Sequence, residues 1–76
     1  MNAAEQVRLL DQFATYKQGW DSYNGAPISP VAIQWAKVVL ARLGHGWQPV
    51  PCSDGSVQLE WHADGVDMEM VIEEHK

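Results

Sequence analysis

Val57-Gln58-Leu59-Glu60-Trp61-His62-Ala63-Asp64-Gly65-Val66-Asp67-Met68-Glu69-Met70-Val71-Ile72 alternates apolar and polar residues on both sides of an Asp-Gly pair. A period of two marks strands, and Asp-Gly between two such runs marks a hairpin. A two-residue turn at Asp64-Gly65 pairs Trp61 with Met68, Leu59 with Met70 and Val57 with Ile72, all apolar. A three-residue loop would set Trp61 against Asp67, so the shorter turn is selected by the side chains it aligns.

Upstream, Trp47 to Cys52 is a third period-two run, joined to Ser56 by Ser53-Asp54-Gly55. A two-residue loop there would place Pro51 at a hydrogen-bonded position, where it has no donor to offer. A three-residue loop with Gly55 in the left-handed region removes the conflict, pairing Cys52 with Ser56 and Trp47 with Trp61. Strands are therefore expected over 47–52, 56–62 and 66–73. One sheet face carries Trp47, Pro49, Pro51, Val57, Leu59, Trp61, Val66, Met68, Met70 and Ile72, which the helices are expected to cover. The other carries Gln58, Glu60, His62, Asp67, Glu69, Val71 and Glu73, with Glu60 opposite Glu69 and His62 opposite Asp67. Facing carboxylates cost stability unless a positive group sits nearby.

The N-terminal half has a different period. Asn2 followed by Glu5 resembles a capping box, and Val7, Leu10 and Ala14 with Leu9, Phe13 and Tyr16 recur at helical spacing, which predicts a helix over 3–17. Ser29-Pro30 supplies a hydroxyl cap followed by a proline at the first helical position, predicting a second helix over 30–43 that Gly44 ends. Its apolar residues exceed one stripe. Ile33, Ala36, Leu40 and Leu43 with Ala32 and Val39 form one face, and Val31, Trp35 and Val38 extend it around the cylinder. Such a helix is read first as covered on two sides within the chain, the alternative being that the Val31/Trp35/Val38 stripe meets another molecule. His45-Gly46 is a connector.

Between the helices lies the linker 19–29, whose Gly, Pro, Asx and Ser residues break both periods while retaining Trp20, Tyr23 and Ile28. Trp20 and Tyr23 are expected to pack beneath it as anchors, with Asp21 capping nearby backbone amides. The expected architecture is α+β in the order ααβββ: one domain over 1–76, with two helices on one face of a three-stranded antiparallel meander.

Seventy-six residues, 46% of them hydrophobic and four of them Trp, suffice for one small core and leave no room for a second domain. The lone Cys52 excludes an internal disulfide and a four-cysteine zinc site. A single free cysteine, an N-terminus without a signal-peptide pattern and the lack of a membrane-length apolar run together predict a cytoplasmic location, with no membrane partner. Charge is unevenly placed: residues 1–52 sum to +1 and residues 53–76 to −6. A field of that sign repels nucleic acid and steers basic partners inward, so no direct nucleic-acid contact is expected. Arg8, Lys17, Lys37 and Arg42 are scattered over both helices and make no basic patch.

Two stretches carry a resemblance. Gly19-Trp20-Asp21-Ser22-Tyr23 through Ala26-Pro27-Ile28-Ser29, with Pro51-Cys52-Ser53-Asp54-Gly55-Ser56-Val57-Gln58-Leu59-Glu60-Trp61, resemble a loose group of small bacterial and phage proteins. These combine a W-D-[SG]-Y-type linker with a P-x-x-D-G-x-[VI]-x-L-E-W hairpin, and the likeness covers about half of the chain. It implies a phage or mobile-element setting, where small acidic proteins inhibit host defence, CRISPR systems included. It assigns a role to no particular residue.

Chemistry is sparse. Glu60 and Glu69 have the residue types of an acid/base pair, but a flat sheet face supplies no cleft for a substrate. In the derived register Cys52 and His62 stand about 20 Å apart, too far for a thiol–imidazole dyad. His45, His62, His75 and Cys52 show no metal-ligand spacing, and no phosphate-binding loop or nucleophile elbow occurs. A non-enzymatic protein without metal or cofactor is expected. The leading reading is a small acidic inhibitor or regulator that binds a basic protein surface through Glu60, His62, Asp67, Glu69 and Glu73, in the manner of a phage anti-defence factor. The alternative is an antitoxin-like or assembly protein acting through Val31, Trp35 and Val38, as a homodimer.

Overall fold

The computed structural model describes residues 2–44 and 46–74. Two helices, α1 (Ala3–Phe13) and α2 (Pro30–Leu43), precede an antiparallel sheet of β1 (Trp47–Pro51), β2 (Val57–Ala63) and β3 (Val66–Ile72) in the order β1-β2-β3. The architecture is the expected α+β meander. His45, His75 and the claims made on them lie outside the described residues.

Both registers agree with the side-chain argument. β2 and β3 pair Trp61 with Met68, Leu59 with Met70, Val57 with Ile72, Glu60 with Glu69 and His62 with Asp67. Asp64 and Gly65 sit at φ 54° and 74°, the paired left-handed conformation that matches the twist of the strands they join. β1 and β2 pair Trp47 with Trp61, Pro49 with Leu59 and Pro51 with Val57. The intervening loop closes through Gly55 N–H to Cys52 C=O at 3.0 Å and Cys52 N–H to Ser56 C=O at 3.0 Å. Asp54 Oδ1 accepts from Ser56 N–H at 3.0 Å and from its hydroxyl at 2.6 Å. The Ser56 hydroxyl, then its amide, hold the Asp54 carboxyl below its ordinary value.

The linker docks on that loop. Ala26 N–H donates to Ser53 C=O at 2.7 Å and Ser29 N–H to Gly55 C=O at 2.8 Å. Gly55, at φ 89°, is buried beneath it, and a Cβ there would stand 2.9 Å from the Pro27 carbonyl oxygen. Trp20 is anchored as expected: its Nε1–H donates to Ala26 C=O at 2.7 Å, and its ring stacks on Tyr16 with centroids 5.2 Å apart. Asp21 Oδ1 accepts from Tyr23 N–H and Gly25 N–H, each at 2.9 Å. Tyr23 departs from expectation. It is 83% exposed, because the Asp21-centred turn that caps the amides aims its ring outward.

Helix α1 is shorter than the predicted 3–17. Thr15 donates both its N–H (3.0 Å) and its hydroxyl (2.7 Å) to Gln12 C=O, and Tyr16 N–H bonds Phe13 C=O at 3.1 Å. These i→i−3 contacts tighten the chain out of the helix and turn Tyr16 inward beside Phe13. Its inward face is Gln6, Leu10 and Phe13, whereas Val7 and Ala14 are exposed. Asn2 caps as expected, accepting from Glu5 N–H at 2.8 Å. Ser29 caps α2 by accepting from Ala32 N–H at 3.2 Å.

The core comprises Leu10, Phe13, Ile28, Ala32, Ile33, Ala36, Leu40, Val57 and Leu59. Helix α1 packs on α2 and β1, and α2 lies over all three strands. Cover of the apolar sheet face is incomplete: Val66, Met68 and Met70 are exposed. With α1 placed at the β1 side, only α2 reaches β3, and the outer strand is left partly bare. Leu43, expected on the core face of α2, is also exposed.

Sequence periodicity gave no reason to single out Gln6. It is 3% exposed, and its Nε2 donates to Gly44 C=O at 3.1 Å and Trp47 C=O at 2.7 Å, tying α1 to the ends of α2 and β1. Replacing it with Leu leaves both carbonyls without that donor, and a loss of about 1–3 kcal/mol is expected in urea unfolding. Gly55→Ala is expected to destabilise comparably, since the Pro27 carbonyl must move as well as the backbone adopt a strained φ.

Candidate protein-binding surface

Two surfaces were singled out by sequence, and the fold sets them on either side of β3. The first is the outer stripe of α2. At about 100° per residue, Val31, Trp35 and Val38 point roughly 150° away from the Ala32/Ile33/Ala36/Leu40 face that meets the sheet. Cover within the chain, the first reading of this stripe, is overturned: Val31 is 41%, Trp35 56% and Val38 47% exposed. The physical reason is that α1 packs against the Lys37 flank of α2, where Lys37 Nζ bonds Asp11 Oδ1 at 2.6 Å, and not against the Trp35 flank.

Trp35 stands between two shallow hollows. One, of about 370 Å³, is lined by Pro30, Val31, Gln34, Trp35 and Val38. The other, of about 330 Å³, is lined by Trp35, Val39, Val71, Ile72 and Glu73 and opens between α2 and β3. The exposed Met68 and Met70 share a sheet face with Ile72, so apolar surface continues from the helix onto the strand.

The second surface is the opposite face of the sheet. Glu60, His62, Asp67 and Glu69 come together there, and Glu73 follows the end of β3. His62 does more than face Asp67. Its Nδ1 lies 2.8 Å from Asp67 Oδ1 and its Nε2 lies 3.1 Å from Glu60 Oε2. Two carboxylates facing both ring nitrogens are satisfied together only by the imidazolium, which has two N–H donors. The contact with Asp67, then that with Glu60, raises the His62 pKa above its ordinary value. Gln58 Nε2–H donates to the other Glu60 oxygen at 2.9 Å. When protonated, His62 is the positive neighbour of Glu60 in the Glu60–Glu69 opposition. The His62–Glu60 contact was legible, because residues two apart on a strand share a face, but sequence reasoning had looked only across the strands.

Tyr23, Asp21, Asn24, Ser53 and Asp54 surround a third, open depression at the linker. Cys52 is half-buried beyond the end of β1. Among the described residues no group of His, Cys, Asp and Glu is arranged to hold a metal ion, and no helix is long and apolar enough to cross a membrane.

Because the His62 pKa is raised on folding, the stabilisation from its contacts is complete below the unfolded imidazole value of about 6.5. It is lost as pH rises through the higher folded value. An NMR titration of the imidazole is expected to show this upward shift, to lose most of it in Asp67→Asn and a smaller part in Glu60→Gln; an unshifted wild-type titration contradicts the bridge. Comparison with known proteins finds no matching family model, no matching curated protein and no matching solved structure.

Proposed function

We propose that this chain is a non-enzymatic protein-binding module that inhibits or regulates a partner protein, and that its principal contact is the Trp35 side of α2 together with β3. The observation that carries this reading is the exposure of Trp35 between two apolar hollows. Burying the part of an indole that Trp35 leaves in water, on the order of 100 Å², is worth about 2–3 kcal/mol at about 25 cal/mol per Å². A large aromatic flanked by aliphatic side chains is also the usual composition of an interface anchor. The acidic face retains a second part in the reading: beside an apolar anchor, it favours a partner that is basic around an apolar patch. A phage anti-defence role is supported by the linker-and-hairpin resemblance alone. The homodimer alternative uses the same stripe and is distinguished by mass.

Trp35→Asp removes the anchor at an exposed position, so thermal unfolding is expected to change little. Capture from host lysate by wild-type protein is expected to be lost in this variant and weakened by charge reversal at Glu60, Asp67 and Glu69. An identical set of captured proteins for wild type and Trp35→Asp rules out the stripe. Light scattering adds the second arm: a concentration-dependent dimer that Trp35→Asp dissolves identifies self-association.

A further inference from the structure

The two edges of the sheet are unlike. With Asp64-Gly65 as a two-residue turn, Ala63–Val66, Trp61–Met68, Leu59–Met70 and Val57–Ile72 are the hydrogen-bonded pairs of β2 and β3. The N–H and C=O groups of Asp67, Glu69 and Val71 therefore point away from the sheet along its outer edge. On the other side, the same alternation gives Pro49 and Pro51 the outward positions of β1, and proline has no N–H. One edge lacks a donor at two of its three outward positions, and the other keeps every donor.

The side chains beside the open edge differ between its two faces. Towards α2 stand Met68, Met70 and the Trp35 hollow, which are apolar except for Glu73 at the hollow's rim. On the opposite face stand Asp67 and Glu69, with Glu60 one strand further in. A strand laid along β3 presents alternate side chains to these two environments. We infer that β3 is the docking edge for an extended segment of the partner in which Lys or Arg alternates with large apolar residues, added as a fourth strand. This rests on the protein-binding reading above and specifies its occupant.

A second copy of β3 fits poorly. Antiparallel self-pairing centred on Glu69 sets that carboxylate against its own copy, and centring on Met70 brings Asp67 opposite Glu73. Charges on an exposed edge are a common guard against such self-pairing. The same carboxylates attract a basic strand, so they select the occupant as well as exclude the copy.

The test uses a capped octapeptide alternating Lys and Val, its block isomer with the four Lys preceding the four Val, and two N-methylated forms of the alternating peptide. One form is methylated on every Lys amide and the other on every Val amide; each closes a single edge of the peptide. In NMR titrations the alternating peptide is expected to bind at least about tenfold more tightly than the block isomer and to shift the amides of Asp67, Glu69 and Val71. One methylated form is expected to lose at least about tenfold in affinity while the other retains it. Equal binding of the block isomer, an equal effect of the two methylations, or no binding of any peptide at millimolar concentration overturns the added strand. The capture comparison with Trp35→Asp decides the protein-binding reading separately. A concentration-dependent dimer dissolved by Val71→Pro, whose amide is outside the β2–β3 ladder, also overturns the inference, because a second copy then occupies the edge.

Discussion

The contact on which the rest of this structure depends is the seating of the linker on the first hairpin loop. Two backbone hydrogen bonds, Ala26 to Ser53 and Ser29 to Gly55, join segments far apart in sequence. Gly55 permits the approach because it has no Cβ to meet the Pro27 carbonyl and because its φ of 89° suits the loop it closes. The same seating fixes Ser29, the cap of α2, and so sets where the helix starts over the sheet. Ser29 also donates its hydroxyl to Glu74 at 2.9 Å, so the start of α2 and the end of β3 share one side chain. The placement of α2, and with it the exposure of Trp35, follows from a loop rather than from the helix itself.

Features governed by neighbours in sequence were legible before any coordinates. Both registers followed from which side chains a turn length would align, and the missing donor of Pro51 selected the longer loop of the first hairpin. The caps at Asn2 and Ser29 were legible for the same reason, since each involves a bond across three residues. What escaped was non-local. Whether Val31, Trp35 and Val38 are covered depends on which flank of α2 receives α1, and periodicity within α2 carries no information on that. Gln6 was invisible because its partners, the Gly44 and Trp47 carbonyls, are backbone groups 38 and 41 residues away. The early end of α1 is a local failure: a Thr15 hydroxyl competing for the Gln12 carbonyl was open to reading, but the apolar spacing through Tyr16 outweighed it.

The candidate surface gained definition in a different way. Sequence reasoning treated the acidic sheet face and the α2 stripe as rival interfaces. The fold makes them the two banks of one strand, with His62 drawing Glu60 and Asp67 together on one and Trp35 beside Ile72 on the other. Neither bank alone is distinctive, since a solvated acidic face and a partly bare helix are both common in small domains. The strand's own period of two already shows its amphipathic character; what the fold adds is the Trp35 stripe of α2 beside its apolar bank.

The prolines of β1 also bear on stoichiometry. A sheet with two open edges offers each newcomer a fresh site and so supports end-to-end growth, the geometry of fibres and ribbons. With Pro49 and Pro51 on one margin, this sheet lengthens more readily at β3 than at β1. A strand added at β3, as inferred above, would find no equally open edge on the far side of this sheet, which disfavours growth of a polymer through it.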